Sequence, residues 1–401
     1  MTWPMVKFKD VISDTGVFSD GDWVESKDQD PDGGVRLIQL ADIGVARFID
    51  KSSRFLTMEK AKELRCTFLE GGDILIARMP DPIGRACIFP ENMGDCVTVV
   101  DVCVVRPESD KVNTRWLMHL INSDSFKNQI SQHVTGTTRQ RISRGNLAKL
   151  EIPLPPLAEQ KRIAAILDKA DAIRCKRQQA IQLADDFLRA VFLDMFGDPV
   201  TNPKGFDKAP ITTLADIITG FAFKSKDYVT DSYSSVRLCR GANTLTGYFD
   251  WGDTVFWPKN KIDGVESYLI KEGDVILAMD RPWISSGLKV CIFPSNERDT
   301  YLVQRVARLR PTSPTYTDYI YSCIKSGAFE KHCCPTETTV PHISPVELKN
   351  FEVLIPKESM VMKYHNVVSR VRASLSQMKL AEQLSKSGID ALSQKAFRGE
   401  L

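Results

Sequence analysis

Leu154-Pro155-Pro156-Leu157-Ala158-Glu159-Gln160 opens a stretch that runs on to Phe196 with no further Pro or Gly. Pro155 and Pro156 bar helix upstream and Gly197-Asp198-Pro199 stops it downstream, so the sequence predicts one continuous helix between them. Ile163, Ile166, Ala170, Ile173, Ala180, Ala184, Phe187 and Val191 recur at steps of three and four, interrupted by Arg177. This is a heptad seam, and its period predicts a left-handed supercoil against a partner helix. Roughly 40 residues rising about 1.5 Å each make a rod of about 60 Å, longer than a small domain needs for its own core.

The same chain offers a partner. From Met360 to Phe397 a second seam runs through Val361, Tyr364, Val368, Val371, Leu375, Met378, Ile389, Leu392 and Ala396, interrupted by Glu382 and Ser385. Small seam residues (Ala170, Ala180, Ala184) allow close approach. The simplest pairing is antiparallel within one chain, about a pseudo-two-fold axis. Intermolecular pairing in a homodimer is the alternative. Arg177 is either a register device facing Glu382 or Ser385, or part of a surface that a partner subunit covers.

The globular segments before each helix repeat each other. Gly72-Asp73-Ile74-Leu75-Ile76-Ala77 leads to Cys87-Ile88-Phe89-Pro90, and Gly273-Asp274-Val275-Ile276-Leu277-Ala278 leads to Cys291-Ile292-Phe293-Pro294. Val35-Arg36-Leu37 is matched by Val236-Arg237-Leu238, and Thr114-Arg115-Trp116-Leu117 by Thr317-Asp318-Tyr319-Ile320. Thr137-Thr138 before Ile142-Ser143 recurs as Thr338-Thr339 before Ile343-Ser344. The chain therefore divides into a module over 1–153, a helix over 154–197, a second module over 198–356 and a second helix over 357–401.

Periodicity and β-branched content predict strands at Val35–Leu40, Asp73–Ala77, Ala86–Phe89 and Val97–Val105. Their counterparts are Val236–Arg240, Asp274–Ala278, Lys289–Phe293 and Leu302–Leu309. Thr114–Asn122 and Thr317–Lys325 read as short amphipathic helices. The expected fold is α+β: two homologous, mostly antiparallel mixed α/β domains joined by two long antiparallel coiled-coil helices.

Composition is that of an ordinary globular protein, with 43% apolar and 26% charged residues and a net charge of +2. No apolar run approaches the roughly 18–20 residues of a membrane span, and the N-terminus lacks the apolar core of a signal peptide. A cytoplasmic protein with reduced thiols is expected, its ten cysteines forming no Cys-x-x-Cys. Adjacent Cys333 and Cys334 beside His332 are poorly spaced for zinc.

Catalytic motifs are missing from the reading. There is no phosphate-binding Gly-x-x-x-x-Gly-Lys, no Gly-x-Ser-x-Gly and no His-Glu-x-x-His. Asn202-Pro203-Lys204-Gly205 lacks the second Pro and the aromatic of an amino-methyltransferase loop, and a turn explains it. Asp14 with Glu25-Ser26-Lys27 is a weak nuclease-like pattern, with no counterpart expected in the second half.

What recurs instead is polar loops. The hairpin carrying Arg78 and Arg85 is matched by the one carrying Arg281, Trp283 and Lys289. An arginine at a hairpin tip can present its guanidinium to guanine O6/N7 or to phosphate. A second loop carries Thr137, Thr138, Arg139, Gln140, Arg141 and Arg144, matched by Thr338, Thr339 and His342. A third, Lys224-Ser225-Lys226, aligns near Gly16–Trp23, which has no lysine. Arg139, Gln140 and Arg141 give way to Val340, Pro341 and His342, so a shared frame carries unlike tips.

The chain resembles the DNA-specificity subunit of a Type I restriction-modification system over nearly its whole length. The resemblance is carried by 152–168, from Ile152-Pro153-Leu154-Pro155-Pro156 to Leu167-Asp168, which is similar to that family's central spacer. Phe196-Gly197-Asp198-Pro199, Phe223-Lys224-Ser225 and Gly273-Asp274-Val275-Ile276 also match its patterns. The second spacer departs, with a single Pro in Ile355-Pro356-Lys357-Glu358 and no match to Glu159-Gln160. The resemblance implies two target-recognition domains, each reading one half of a bipartite, asymmetric duplex target, with the helices setting the gap. It implies a subunit that binds no cofactor. S-adenosylmethionine would sit on two partner modification subunits, and restriction subunits would translocate and cleave. A combined restriction–methylation enzyme's specificity subunit, a stand-alone DNA enzyme and a transcriptional regulator are the alternatives.

Overall fold

The structure, a computed structural model, describes residues 3–12, 16–137, 139–333 and 342–400. The side chains of 376, 379–387, 389 and 390 are also outside the described residues, so the question of whether Arg177 faces Glu382 or Ser385 falls outside them. The chain forms two compact units, one of residues 1–178 with 380–401 and one of 179–379.

In the first unit the strands are β1 (Met5–Lys7), β2 (Val17–Asp20), β3 (Val35–Ile38), β4 (Phe55–Leu56), β5 (Ile74–Ala77), β6 (Ala86–Ile88), β7 (Cys96–Thr98), β8 (Val102–Arg106) and β9 (Glu151–Pro153). Its helices are α1 (Met58–Glu63), α2 (Thr114–Ile121), α3 (Asp124–Gln132), α4 (Arg144–Leu147) and the start of α5 (Leu157–Phe196). The strands form sheets ordered β2-β8-β5-β6, β4-β3-β7 and β1-β9.

The second unit repeats this plan. Its strands are β10 (Lys208–Pro210), β11 (Ala215–Thr219), β12 (Ser235–Cys239), β13 (Val255–Pro258), β14 (Val275–Ala278), β15 (Trp283–Ile284), β16 (Gly287–Leu288), β17 (Val290–Ile292), β18 (Thr300–Leu302), β19 (Val306–Pro311) and β20 (Glu352–Leu354). Helices α6 (Thr317–Ile324), α7 (Gly327–Cys333), α8 (Pro345–Asn350) and most of α9 (Glu358–Arg398) follow. The sheets β11-β19-β14-β17, β13-β12-β18 and β10-β20 mirror those of the first unit, and β15-β16 is an added hairpin. Pairing is antiparallel throughout the named strands except for β3–β7 and β12–β18.

The expected strands at 97–105 and 302–309 are each two strands. β7 and β18 pair in parallel with β3 and β12, whereas β8 and β19 belong to the other sheet. A tight turn carries the chain from one sheet to the next. The repeated Gly-Asp pair also has a physical account. Gly72 and Gly273 take left-handed φ of 96° and 81°, while the carboxylates of Asp73 and Asp274 accept the backbone N–H of Glu70 and Lys271. Each buried carboxylate also takes two hydrogen bonds from an arginine, Arg106 at 2.7 and 2.9 Å and Arg310 at 2.8 and 2.7 Å.

The long helices serve the cores. Ile163, Ala164 and Leu167 of α5 pack in the first unit with Trp116, Leu117, Leu120 and, from the end of α9, Ala396 and Phe397. In the second unit Phe192 and Phe196 pack against Tyr319, Tyr364, Val361 and Val368. Ala184 there lies with Ser374, Leu375 and Met378, so α5 and α9 run antiparallel in that unit.

The α5 seam keeps Ile163 buried but is displaced from its expected positions further along. Ile173 and Phe187 are 42% and 51% exposed, while Leu167 and Phe192 are buried one residue beyond Ile166 and Val191. Each end of the helix buries against its own globular domain as well as against α9, which widens and turns the apolar face. On α9 Val361, Tyr364, Val368, Leu375 and Ala396 are buried as the seam predicts, and Met378 is exposed.

Candidate nucleic-acid interface

In the first unit one end of the four-stranded sheet gathers the loops. β2 ends at Asp20 opposite Cys103, and β5 ends at Ala77 opposite Val102. The Ile142 N–H donates to the Arg78 carbonyl at 3.1 Å and ties the 135–142 loop to the same end. In the second unit Thr219 lies opposite Ala307 and Ala278 opposite Val306, and the Ile343 N–H donates to the Met279 carbonyl at 2.9 Å.

At this end the turns 99–101 and 303–305 hold matching places between strands, although Arg305 takes a left-handed φ of 65° where Asp101 does not. The Arg78 N–H donates to the Asp101 carbonyl, and the Met279 N–H to the Arg305 carbonyl, both at 2.9 Å. Beneath them Gly21 and Gly220 donate to Val102 and Val306. A Cβ on Gly21 would stand 2.1 Å from the Val99 carbonyl oxygen, and one on Gly220 would stand 2.2 Å from that of Val303. Only glycine lets the strand pass this close under the turn.

Not all the arginines of the hairpin reach its surface. Arg78 is 2% exposed, ion-paired with Asp20 and donating to the Val100 carbonyl. Arg85 is 8% exposed and donates to the carbonyls of Ile43, Met79, Pro82 and Leu40. The expectation that these two guanidiniums stand at a hairpin tip is therefore corrected. Carbonyls from two segments, Leu40 and Ile43 on one side and Met79 and Pro82 on the other, converge on Arg85, which supplies their donors. Thr137, Arg139 and Gln140 are exposed. Arg141 is half-buried, donating to the Val100 carbonyl at 3.2 Å and lying 3.5 Å from Asp101. Arg144, in the first turn of α4 after the Ser143 cap, donates to the Phe18 carbonyl at 2.7 Å. Thr138, Thr338 and Thr339 lie outside the described residues.

In the second unit Arg281 is exposed, whereas Trp283 packs on Phe329 and Lys289 is half-buried. Trp283 thus anchors the β15-β16 hairpin to the core rather than forming its tip, and burial pushes the Lys289 ammonium below its ordinary range. His342 is exposed and bonds through Nδ1 to Asp280 at 2.5 Å. Arg305 donates to the other oxygen of that carboxylate, also at 2.5 Å. Burial pushes the Asp280 carboxyl up, but the Arg305 and His342 hydrogen bonds outweigh it and hold the group below its usual range. Sequence reading missed Arg305 because 302–309 read as one strand, which hid the turn.

Lys224, Ser225 and Lys226 are exposed, and a 3-10 turn over Ser225–Asp227 is matched by one over Ser26–Asp28. The equivalent segment is therefore 21–28, not 16–23, and it does carry a lysine, Lys27. Glu25-Ser26-Lys27 accordingly has a counterpart, and Lys27 pairs with Glu25 at 2.7 Å. Asp14 lies outside the described residues.

Of the nine described cysteines eight are buried, and burial pushes the thiols of Cys87, Cys103, Cys239 and Cys323 up to about 12, which makes them poor nucleophiles. Cys334 is outside the described residues. Among the described residues no helix is long and apolar enough to cross a membrane, and no three His, Cys, Asp or Glu side chains are grouped to hold a metal.

Residues 4–184 match the family described as the Type I restriction modification DNA specificity domain. The chain is 28% identical to the Type I restriction enzyme EcoAI specificity subunit of Escherichia coli, over 82% of this chain and 73% of the relative. To the EcoKI specificity subunit of Escherichia coli K12 it is 22% identical, over 74% and 68%. A solved S subunit of a Type I system from M. genitalium covers 99% of this chain and 96% of its own with a TM-score of 0.59 at 13% identity, a likeness of fold.

Proposed function

We propose that this chain, which belongs to the Type I restriction-modification DNA specificity subunits, reads duplex DNA with the matching sheet ends of its two units. It is a non-catalytic subunit of such a system. The carrying observation is the duplicated edge: matching backbone hydrogen bonds and the same close glycine approach, at Gly21 and Gly220, bear unlike polar tips. The candidate contacts are Thr137, Arg139, Gln140, Arg141 and Arg144 in the first unit, and Lys224, Ser225, Lys226, Arg281 and His342 in the second. Arginine, hydroxyl and amide side chains of this kind bind phosphate and base edges. Each unit would read one half of a split, asymmetric target in the cytoplasm. Helices α5 and α9, which supply residues to both units, would fix the gap and carry two modification subunits, with restriction subunits joining that complex.

Methylome sequencing of a strain carrying the chain with its modification partner tests this reading. A bipartite motif with unlike halves is expected. A continuous palindrome would reject it.

A further inference from the structure

The two turns that close the matching edges carry opposite charge. Asp101 and Arg305 occupy the same step between a strand of one sheet and a strand of the next, each receiving the same backbone hydrogen bond from the end of β5 or β14. Each is steadied by an ion pair to the neighbouring loop: Asp101 by Arg141, and Arg305 by Asp280, which His342 holds from its other side. The Arg305 side chain is 71% exposed, that of Asp101 29%.

Backbone conformation adds a second observation. Arg305 and Arg281 take left-handed φ of 65° and 44° at this edge, whereas Asp101 does not, so residues 101 and 305 share a place in the turn but not a backbone conformation. Glycine or asparagine would suit such a backbone better, so the left-handed turn by itself does not call for arginine at 281 or 305.

Resting on the DNA-reading function proposed above, we infer that residues 101 and 305 are one base-reading position with its hydrogen-bonding sense reversed. The Asp101 carboxylate accepts from the exocyclic amino group of cytosine or adenine, and the Arg305 guanidinium donates to guanine O6 and N7. The two halves would then demand different bases at equivalent places in their half-sites, and a symmetric target would be excluded by chemistry rather than by shape.

The test uses the full chain assembled with its modification subunits, and methylation of duplexes in which each position of the mapped motif is varied in turn. Arg305→Gly, which suits the left-handed turn, should lower discrimination at one guanine of one half-site by about tenfold or more and leave the other half unchanged. Asp101→Ala should relax one position of the other half-site. Unchanged discrimination at every position would overturn the assignment. So would uniform weakening across sequences with a shallower salt dependence, the mark of a phosphate contact. Loss in both halves together with a lowered melting temperature would assign Arg305 to folding and also overturn it. All three failures leave the two-reader function standing, whereas a palindromic wild-type motif removes that function itself.

Discussion

The two junctions between a globular domain and the helix that follows it use the same place with the charges exchanged. In the first unit the domain helix α2 brings His119 and Arg115 to Asp168 on α5, at 2.8 and 3.4 Å. In the second the acid is on the domain: Asp318 of α6 receives His365 at 2.7 Å and also Arg372, both from α9. Depth differs too. The Asp318 side chain is 1% exposed and that of Asp168 31%. Duplicated elements have diverged where they meet their helices, and each junction is complementary only to its own partner. A domain set on the other's helix would bring acid to acid or base to base.

Breaking the deeper junction should cost most. Asp318→Ala removes a buried acceptor shared by two bases and should lower stability by about 3 kcal/mol, read by urea denaturation. Asp168→Ala, at the more open junction, should cost under about 1 kcal/mol. Equal losses would show that the difference in depth has no energetic meaning.

The same comparison extends to the first turn of each helix. Gln160, fully buried, accepts the Asn113 N–H at 2.8 Å and donates to the carbonyls of Lys111 and Pro155, whereas the matching Val361, equally buried, packs among apolar side chains. Gln160→Val copies the second helix into the first but strands those backbone groups, and should cost about 2 kcal/mol in the same measurement. A neutral result would mean that the two pins are interchangeable.

A smaller effect of opposite sign is expected beside Gly21. Burial pushes the Asp22 carboxyl up to about 6, against the bond from the Thr67 N–H, whereas the second unit has Phe221 at this step. A carboxyl whose folded pKa is raised from 3.8 to about 6 stabilises the fold when protonated, and that contribution is lost as pH rises across this window. Asp22→Asn should therefore raise the melting temperature by a few degrees at pH 7 and leave it unchanged near pH 4. A gain independent of pH would assign the effect to something other than desolvation.

The duplicated plan and both helices were legible because repeated Gly-Asp pairs, seam spacing and Pro-Gly stops are local signals. The burial of Arg78 and Arg85 was not, because charge marks a residue as polar without saying whether carbonyls and carboxylates of neighbouring segments will claim it. Nor was the sheet change at 99–101 and 303–305, since β-branched residues run through the turn on both sides and hide it. Arg305 was lost with that turn. The α5 seam holds at Ile163 but is one residue off at Leu167 and Phe192, because spacing reports a helix partner and is blind to the domain packed beside it.

The presence of Phe397 against Trp116, at 6.3 Å between ring centroids, orders events during synthesis. The first unit takes core residues from the last turns of α9, while the second is built wholly from the continuous segment 179–379. On a ribosome the half that emerges first must wait, open at one face, for nearly the entire chain, whereas the later half has all its pieces at once. The earlier half is therefore the one exposed to proteases and aggregation while translation proceeds.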